Sequence, residues 1–286
     1  MAAKPPVRIS QKIIIPLSII MIAAAVFAFI DSSHRIEKRK LAPLFSTSRL
    51  PSGDHFINYR QKTTPMWVYR GLHALPAIIW SIAMPLQHID SLRKKWPVYH
   101  RTAGYVALSM SLILSITGYW FFLSKNAYTH EDMFHAHTFK GFPISWPTFE
   151  LSTYLVAPFY WFTMYKTALT ARARQFVQHR KWAVLHTICA CIISVERLGV
   201  ILIYTGGWVM SSKWPKQRIH EYFGVGYTMD DIAEAELSAF AFGNVFAYAG
   251  VFLWTAYEFG RAGYFGGVKN FLLSTNTAKL SSKKVQ

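Results

Sequence analysis

Residues 13–30, IIIPLSIIMIAAAVFAFI, form an apolar run without a charged side chain. Crossing a bilayer as a helix takes about 20 predominantly apolar residues. The run therefore predicts a membrane helix, and Lys4, Arg8 and Lys12 before it are basic anchors. A secretory signal peptide begins in the same way but has a shorter apolar region, so we expect this helix to remain uncleaved.

The composition of the whole chain agrees with a membrane location. Hydrophobic residues make up 52% of the chain and charged residues 16%, compared with about 25% charged residues in soluble domains. The net charge of +17 lies mainly in connections beside apolar runs, where Lys and Arg meet anionic headgroups. We therefore expect the lipid bilayer, and not a nucleic acid, as the partner of these charges. The two cysteines, Cys189 and Cys191, share one apolar run and exclude a disulfide framework.

Five further apolar segments follow, so the sequence predicts an all-α polytopic membrane protein with six transmembrane helices. The second helix must begin near Trp67 to be long enough, which takes Arg70 and His73 below the membrane surface. The later helices are predicted at residues 102–123, 148–165, 182–204 and 237–257. We divide the chain into an N-terminal anchor with its connection, a four-helix membrane core, and a loop with the last helix and tail, at residues 1–65, 66–210 and 211–286.

Six crossings place both termini on one side of the membrane. The short connections on that side are richer in Lys and Arg than residues 124–147 opposite, which favours cytosolic termini. A basic cluster at residues 35–40 argues the other way. Near the C-terminus, Lys283 and Lys284 resemble the dilysine retrieval signal, which works only on a cytosolic tail. We therefore expect a protein of the endoplasmic reticulum membrane.

Two of the apolar segments begin with the same basic pair, His100-Arg101 and His179-Arg180. In the six-helix topology both pairs lie at the cytosolic face, where free N–H groups at helix N-termini attract anions. With Arg93 nearby, the pairs predict an anion or cofactor site at headgroup depth. The alternative is that these side chains snorkel to the membrane surface without any ligand.

Two kinds of ligand fit these residues. A haem b would place its propionates among the arginines and its iron between histidines. His179 and His186 share a helix face because seven residues separate them, and His88 and His100 lie at a similar depth, so these four are candidate haem ligands. The second kind is an anionic phosphate or carboxylate headgroup, for which the histidines serve as hydrogen-bond donors without a metal.

A second polar set lies deeper in the predicted membrane core. Glu196 and Arg197 fall well inside the fifth predicted helix, and His73 and Glu150 reach a comparable level. Ionisable residues at this depth are costly and usually face the protein interior, so they predict a structural network or a proton or substrate site. We expect Arg197 to bond to Glu150, to His73 or to a backbone carbonyl of the second to fourth helices. Glu196 is an awkward partner because adjacent residues point about 100° apart on a helix.

These motifs resemble a family of bacterial and fungal membrane proteins known only by a domain-of-unknown-function label. Its pattern is an early His, an Arg, then His-Arg-x-x-Gly, His-Arg-x-Trp and a deeper Arg. The corresponding residues of this chain are His73, Arg93, His100-Arg101 with Gly104, His179-Arg180 with Trp182, and Arg197. The match covers about residues 66–210 and implies a four-helix membrane core, but no activity. Where the family often has another Arg, this chain has Leu185.

The sequence leaves three functions open, because it shows no pair of nucleophile and base, no nucleotide-binding loop and no common metal motif. The first is haem-linked redox chemistry in the membrane. The second is non-enzymatic binding or transport of an anionic lipid or small metabolite. The third is a structural role in assembly, and the oligomeric state is left open.

Overall fold

The computed structural model describes residues 6–29, 64–124, 133–226 and 229–264. They form a helical bundle with one short β-hairpin, which confirms the all-α prediction. The helices are α1 (Gln11–Phe27), α2 (Leu75–Gln87), α3 (Asp90–Lys95), α4 (Pro97–Leu123), α5 (Phe149–Arg172), α6 (Phe176–Ala190), α7 (Ile192–Lys213), α8 (Lys216–Phe223) and α9 (Met229–Arg261). The strands are β1 (Phe134–Phe139) and β2 (Phe142–Pro147), and a π-helical turn, Val68–Ala74, leads into α2.

One end of the bundle gathers the start of α1, the whole of α3, the start of α6 and the end of α9. Arg8, which precedes α1, and Arg180 of α6 both form ion pairs with Asp90 of α3. The backbone N–H of Ser10 donates to the carboxylate of Glu258 in α9 over 2.6 Å. We call this end of the bundle the basic end.

The opposite end, which we call the hairpin end, is formed by β1, β2 and α8. Lys140 and Gly141 join the two strands with φ of 49° and 83°. Positive φ at both positions is what a two-residue turn needs to match the twist of its strands. His137 Nε2 lies 2.6 Å from the carbonyl oxygen of Phe223, which holds the hairpin against the end of α8.

The largest of three hydrophobic clusters among the described residues extends through the middle and the basic end of the bundle. It combines residues of the first, central and last helices, including Ile14, Trp80, Val184, Val195 and Trp254. In lipid such contacts stabilise a bundle by close packing, because lipid tails are as apolar as the side chains. The outer helices α1 and α9 therefore pack directly on the predicted four-helix core.

Within the described residues, three helices are long and apolar enough to cross a membrane: Pro97–Leu123, Phe176–Lys213 and Ala235–Arg261. The second of these is the rod formed by α6 and α7, with Cys191 at their junction. Gln11–Phe27 is apolar but shorter. The chain thus fits an integral membrane protein, whereas six crossings stay a prediction.

The π-helical turn Val68–Ala74 begins next to Trp67, as predicted, and carries the basic residues expected below the membrane surface. Pro76 has no backbone N–H, so a regular helical bond to the carbonyl of Leu72 is missing and a wider turn is favoured. Arg70 Nε–H donates over 3.0 Å to the carbonyl oxygen of Ala28, directly after α1. A guanidinium at this position stabilises the negative end of the α1 helix dipole.

Four helices are joined by a chain of hydrogen bonds around His186, a fully buried residue of α6. Trp80 Nε1–H donates to Ser111 Oγ over 2.9 Å. His186 Nε2 lies 3.1 Å from Ser111 Oγ, and its Nδ1 lies 3.3 Å from Thr163 Oγ1. The hydroxyl of Thr163 donates to the Tyr160 carbonyl over 3.0 Å. We call these five residues the His186 chain.

The direction of each bond in the His186 chain follows from what its groups can donate. An indole can only donate, so Ser111 accepts from Trp80 and gives its own proton to His186 Nε2. The proton of Thr163 goes to a carbonyl, so its oxygen accepts Nδ1–H from the imidazole. The imidazole is neutral and both of its nitrogens are satisfied, and the chain connects α2, α4, α5 and α6.

Replacing Ser111 with alanine should lower the free energy of unfolding by about 1–3 kcal/mol, because it leaves the Trp80 N–H and one His186 nitrogen buried without a partner. Thermal unfolding of the detergent-purified protein measures the loss. The control is Ser115→Ala on the same helix, since the Ser115 hydroxyl makes no hydrogen bond among the described residues. Equal losses of unfolding free energy for the two substitutions would contradict the hydrogen bonds assigned to Ser111 in the His186 chain.

Candidate anion site at the basic end

Three arginines from separate parts of the chain converge on Asp90. Arg93 Nη2 lies 3.1 Å from Oδ1 of Asp90, and Arg8 Nη2 lies 3.2 Å from Oδ2. Arg180 Nη2 also donates to Oδ1. The carboxylate therefore holds together the segment before α1, the helix α3 and the start of α6. We call Asp90 and its three arginines the Asp90 cluster.

The Asp90 cluster carries an excess of positive charge. Burial raises the pKa of Asp90, but the charges of Arg180, Arg8 and Arg93 outweigh it and hold this pKa below its ordinary 3.8. The carboxylate is ionised at neutral pH, so one negative charge faces three positive charges. The side chains of Arg8 and Arg93 are 61% and 39% exposed, so solvent reaches their remaining N–H groups.

His88, His100 and His179 adjoin this cluster, and all three interact electrostatically with Arg180. His88 Nε2–H donates over 2.9 Å to the hydroxyl of Thr187, whose own proton goes to a helix carbonyl. His179 Nδ1–H donates over 3.0 Å to a backbone carbonyl of α5. The other ring nitrogen of each of these two histidines takes no part in these bonds.

The side chain of Gln87 links His100 to the end of α2. With its amide oriented to satisfy its neighbours, it donates to His100 Nδ1 over 3.1 Å and accepts from the N–H of Gly104 over 3.2 Å. Burial and the charges of Arg180 and the other two histidines lower the pKa of His88 to about 3. His88 is therefore neutral at physiological pH and adds no charge to the cluster.

The two His-Arg pairs lie one turn inside their helices and not directly before them. The helices begin at Pro97 and Phe176, and the backbone N–H groups of His100 and His179 donate to carbonyls of the preceding turn. The predicted helix starts at residues 102 and 182 are therefore wrong. The prediction relied on apolar residues, and a polar first turn contains too few of them to be recognised, although it is helical too. The anion site consequently depends on side chains rather than on free backbone N–H groups.

The two pairs also differ from each other. Arg180 faces Asp90, whereas Arg101 is exposed on the outside of α4. Arg93, one turn along α3 from Asp90, contributes a guanidinium to the cluster, and Arg101 does not. The repeated motif thus places only one of its two arginines at the site.

Of the four candidate haem ligands, His88, His100 and His179 lie at the basic end and His186 lies in the helix interior. Ligation of iron by either nitrogen of His186 would break a bond of the His186 chain. Among the described residues, no group of three or more His, Cys, Asp or Glu side chains could hold a metal ion. A haem needs only two ligands, so ligation by the three histidines of the basic end stays a prediction.

The deeper polar residues do not form the network that we expected. Arg197 Nε lies 3.6 Å from an oxygen of Glu196, and its guanidinium stacks on the ring of Phe240 with 5.1 Å to the centroid. His73 Nδ1–H instead donates over 2.9 Å to Thr117 Oγ1, and Glu150 occupies the first turn of α5. The predicted partners of Arg197 are therefore wrong. The residues that Arg197 contacts depend on the rotation of α7 about its axis, which the sequence does not specify.

Sequence reasoning missed two members of the Asp90 cluster, Arg8 and Asp90. Asp90 is the one acidic residue in the basic connection of residues 88–101, and this contrast was a usable signal. It also missed the hydroxyl partners of the histidines, such as Thr163 and Thr187. No local pattern marks them, because each is defined by a contact between two helices.

No protein-family model, curated protein or solved structure matches the chain. The resemblance of residues 66–210 to the family of unknown function therefore stays a prediction. Function resides in sites rather than in folds, so the geometry of the Asp90 cluster determines what this end can bind.

Replacing Asp90 with asparagine should lower the free energy of unfolding by about 1–2 kcal/mol. Hydrogen bonds to charged groups contribute roughly 1.5–3 kcal/mol, and partial exposure reduces this. Chemical or thermal unfolding of the purified protein measures the change. Glu221→Gln in the exposed helix α8 is the control and should have an effect within about 0.5 kcal/mol.

The stability difference between the wild type and Asp90→Asn should depend on pH in one direction. The pKa of Asp90 in the folded protein is below its ordinary 3.8, so the contribution is complete above that value and disappears as the pH falls through the lower one. Unfolding measured from neutral pH to about pH 3 tests this. A difference that has already vanished at pH 6 would contradict the assignment.

Proposed function

We propose that the protein is a non-enzymatic integral membrane protein that binds a phosphate or carboxylate group at the basic end. The Asp90 cluster is the observation that carries this proposal. A guanidinium has about five N–H donors and a carboxylate about four acceptor sites, so three guanidinium groups exceed what Asp90 can accept. An anion that bridges the arginines would use the remaining donors.

The charges around the cluster point to the same ligand. Among the described residues of this end, basic side chains greatly outnumber the acidic ones, Asp90 and Glu258. The basic residues are Arg8, Lys12, Arg93, Lys94, Lys95, Arg101, Arg172, Arg174, Arg180, Lys181 and Arg261. Such a surface raises the local concentration of anions and is attracted to acidic lipid headgroups. Arg also suits phosphate better than Lys does, because its planar fork can form two parallel hydrogen bonds.

Haem-linked redox chemistry is the second candidate, and the histidines of the basic end are the observation in its favour. His88 and His179 each donate one ring N–H to a neighbouring helix, an arrangement that also orients metal ligands. The same bonds have a sufficient structural reason, because a buried imidazole needs a partner. The remaining guanidinium donors of Arg8 and Arg93 face solvent, where an anion from solution or from a lipid headgroup can reach them, so anion binding is the stronger candidate.

The asymmetry of charge also supports an orientation. We propose six crossings with the basic end in the cytosol, because Lys and Arg are enriched on that side of membrane proteins. The start of α1 and the end of α9 both lie at this end. The basic residues at 35–40 and the tail with Lys283 and Lys284 lie outside the described residues. The dilysine motif supports our proposal that the membrane is that of the endoplasmic reticulum.

Anion binding is tested by Arg180→Gln in the detergent-purified protein. Inorganic phosphate and short-chain phosphatidic acid should raise the melting temperature of the wild type. Arg180→Gln should weaken the affinity about tenfold, the equivalent of about 1.4 kcal/mol. The control, Arg172→Gln, removes the same charge at the same end but not from the cluster.

Three outcomes separate the interpretations of this experiment. A response to both ligands that Arg180→Gln weakens and Arg172→Gln does not would support the site. A response to phosphatidic acid alone would identify lipid as the source of the phosphate. Equal weakening by both variants would show general attraction to a basic surface and would contradict a built site.

The localisation is tested by replacing Lys283 and Lys284 with serine. A tagged double variant should move from the endoplasmic reticulum towards later compartments, because the retrieval receptor no longer recognises the tail. Microscopy with compartment markers measures the change. Ser281→Ala together with Ser282→Ala is the control, and unchanged localisation of the lysine variant would refute the retrieval signal.

A further inference from the structure

A cavity of about 310 Å³ lies beside the Asp90 cluster, between the segment before α1 and the end of α9. The described residues that line it are Pro6, Arg8, Glu258, Arg261 and Ala262. Arg8 belongs both to this lining and to the Asp90 cluster, so the cavity adjoins the proposed anion site directly.

The carboxylate of Glu258 is only half satisfied. Its side chain is 0% exposed, and Oε1 accepts hydrogen bonds from the Ser10 N–H over 2.6 Å and from Trp254 Nε1–H over 3.1 Å. Oε2 is buried and accepts no hydrogen bond from any described residue. Among the residues that the structure describes, the cation paired with Oε2 is Arg261, whose Nη1 lies 3.7 Å away, which is too far for a hydrogen bond. A buried acceptor in this condition favours a ligand with an N–H donor.

The rim of the cavity is positively charged and exposed, in contrast to the buried carboxylate of Glu258. Arg8 and Arg261 have side chains that are 61% and 46% exposed, so both can turn towards a ligand. Arg261 Nη1 lies 3.7 Å from Oε2 of Glu258, and the guanidinium carbon lies 5.3 Å from the centroid of the Tyr257 ring. A movement of Arg261 towards a phosphate would uncover the free oxygen of Glu258.

The depth of the cavity indicates a lipid. It lies at the ends of two apolar helices, one of which is long enough to cross a membrane. Tyr257, one turn before the end of α9, is 51% exposed. Exposed tyrosines at such positions mark the headgroup region of a bilayer. A ligand that enters here from the membrane presents its headgroup to the arginines and to Glu258.

We propose that this cavity binds the headgroup of an aminophospholipid, with the phosphate on Arg8 and Arg261 and the ammonium group on Glu258. This assignment rests on the proposed anion binding and adds a requirement for an N–H donor. Ethanolamine and serine headgroups meet the requirement. A choline headgroup has the same phosphate and a positive charge but no N–H group, and phosphatidic acid has no amine.

The experiment compares short-chain phosphatidylethanolamine with short-chain phosphatidylcholine on the purified wild-type protein. The two lipids have the same net charge and differ in the N–H donors. Phosphatidylethanolamine should bind roughly tenfold more tightly, the effect of one charged hydrogen bond. Glu258→Gln should reduce this preference at least threefold, whereas Glu221→Gln at the hairpin end should leave it unchanged.

The comparison of the two lipids on the wild-type protein tests the aminophospholipid assignment even if Glu258→Gln does not fold. Equal affinity for the two lipids would overturn the aminophospholipid assignment, while weaker binding of inorganic phosphate by Arg180→Gln would leave the anion site intact. A preference that persists in folded Glu258→Gln would also overturn the role of Glu258. Soluble phosphoethanolamine that binds as tightly as the lipid would overturn the assignment to a membrane ligand.

Discussion

The ion pairs of Asp90 are the constraint on which the basic end depends. One carboxylate receives guanidinium groups from the segment before α1, from α3 and from α6, which are far apart in sequence. Without it, Arg8, Arg93 and Arg180 would repel one another and would not converge. The same arrangement that fixes these elements leaves donors unused, and this surplus makes a structural cluster a candidate binding site. Glu258 completes the end by holding α9 to the start of α1.

A second rule governs the interior, where histidines pair with hydroxyl groups of neighbouring helices. His73 and His186 each donate to a threonine whose own proton goes to a carbonyl of its helix. Within a bilayer core, water does not satisfy polar groups, so each imidazole must find a partner inside the protein. Histidines at membrane depth therefore have a structural role before any cofactor is considered. For the same reason, their number alone is weak evidence for haem.

The apolar runs predicted the helical class, and the length requirement placed the second helix correctly next to Trp67. The starts of α4 and α6 were predicted too late, because polar first turns such as the one containing His179 continue a helix without apolar residues. The convergence on Asp90 could be foreseen only in part, since Arg8 lies about 80 residues away in sequence. The partners of Arg197 and His186 could not be foreseen, because they depend on how each helix is rotated against its neighbours.

Solid-state NMR between arginine nitrogen and lipid phosphorus tests directly whether the Asp90 cluster holds a lipid phosphate. Protein labelled with ¹⁵N at arginine would be placed in vesicles that contain phosphatidylethanolamine and phosphatidic acid. If the cluster holds a phosphate, guanidinium signals should be dephased by phosphorus, and the double variant Arg93→Gln, Arg180→Gln should lose a resolved part of this effect. The same dephasing in the wild type and the double variant would contradict a phosphate site at the Asp90 cluster.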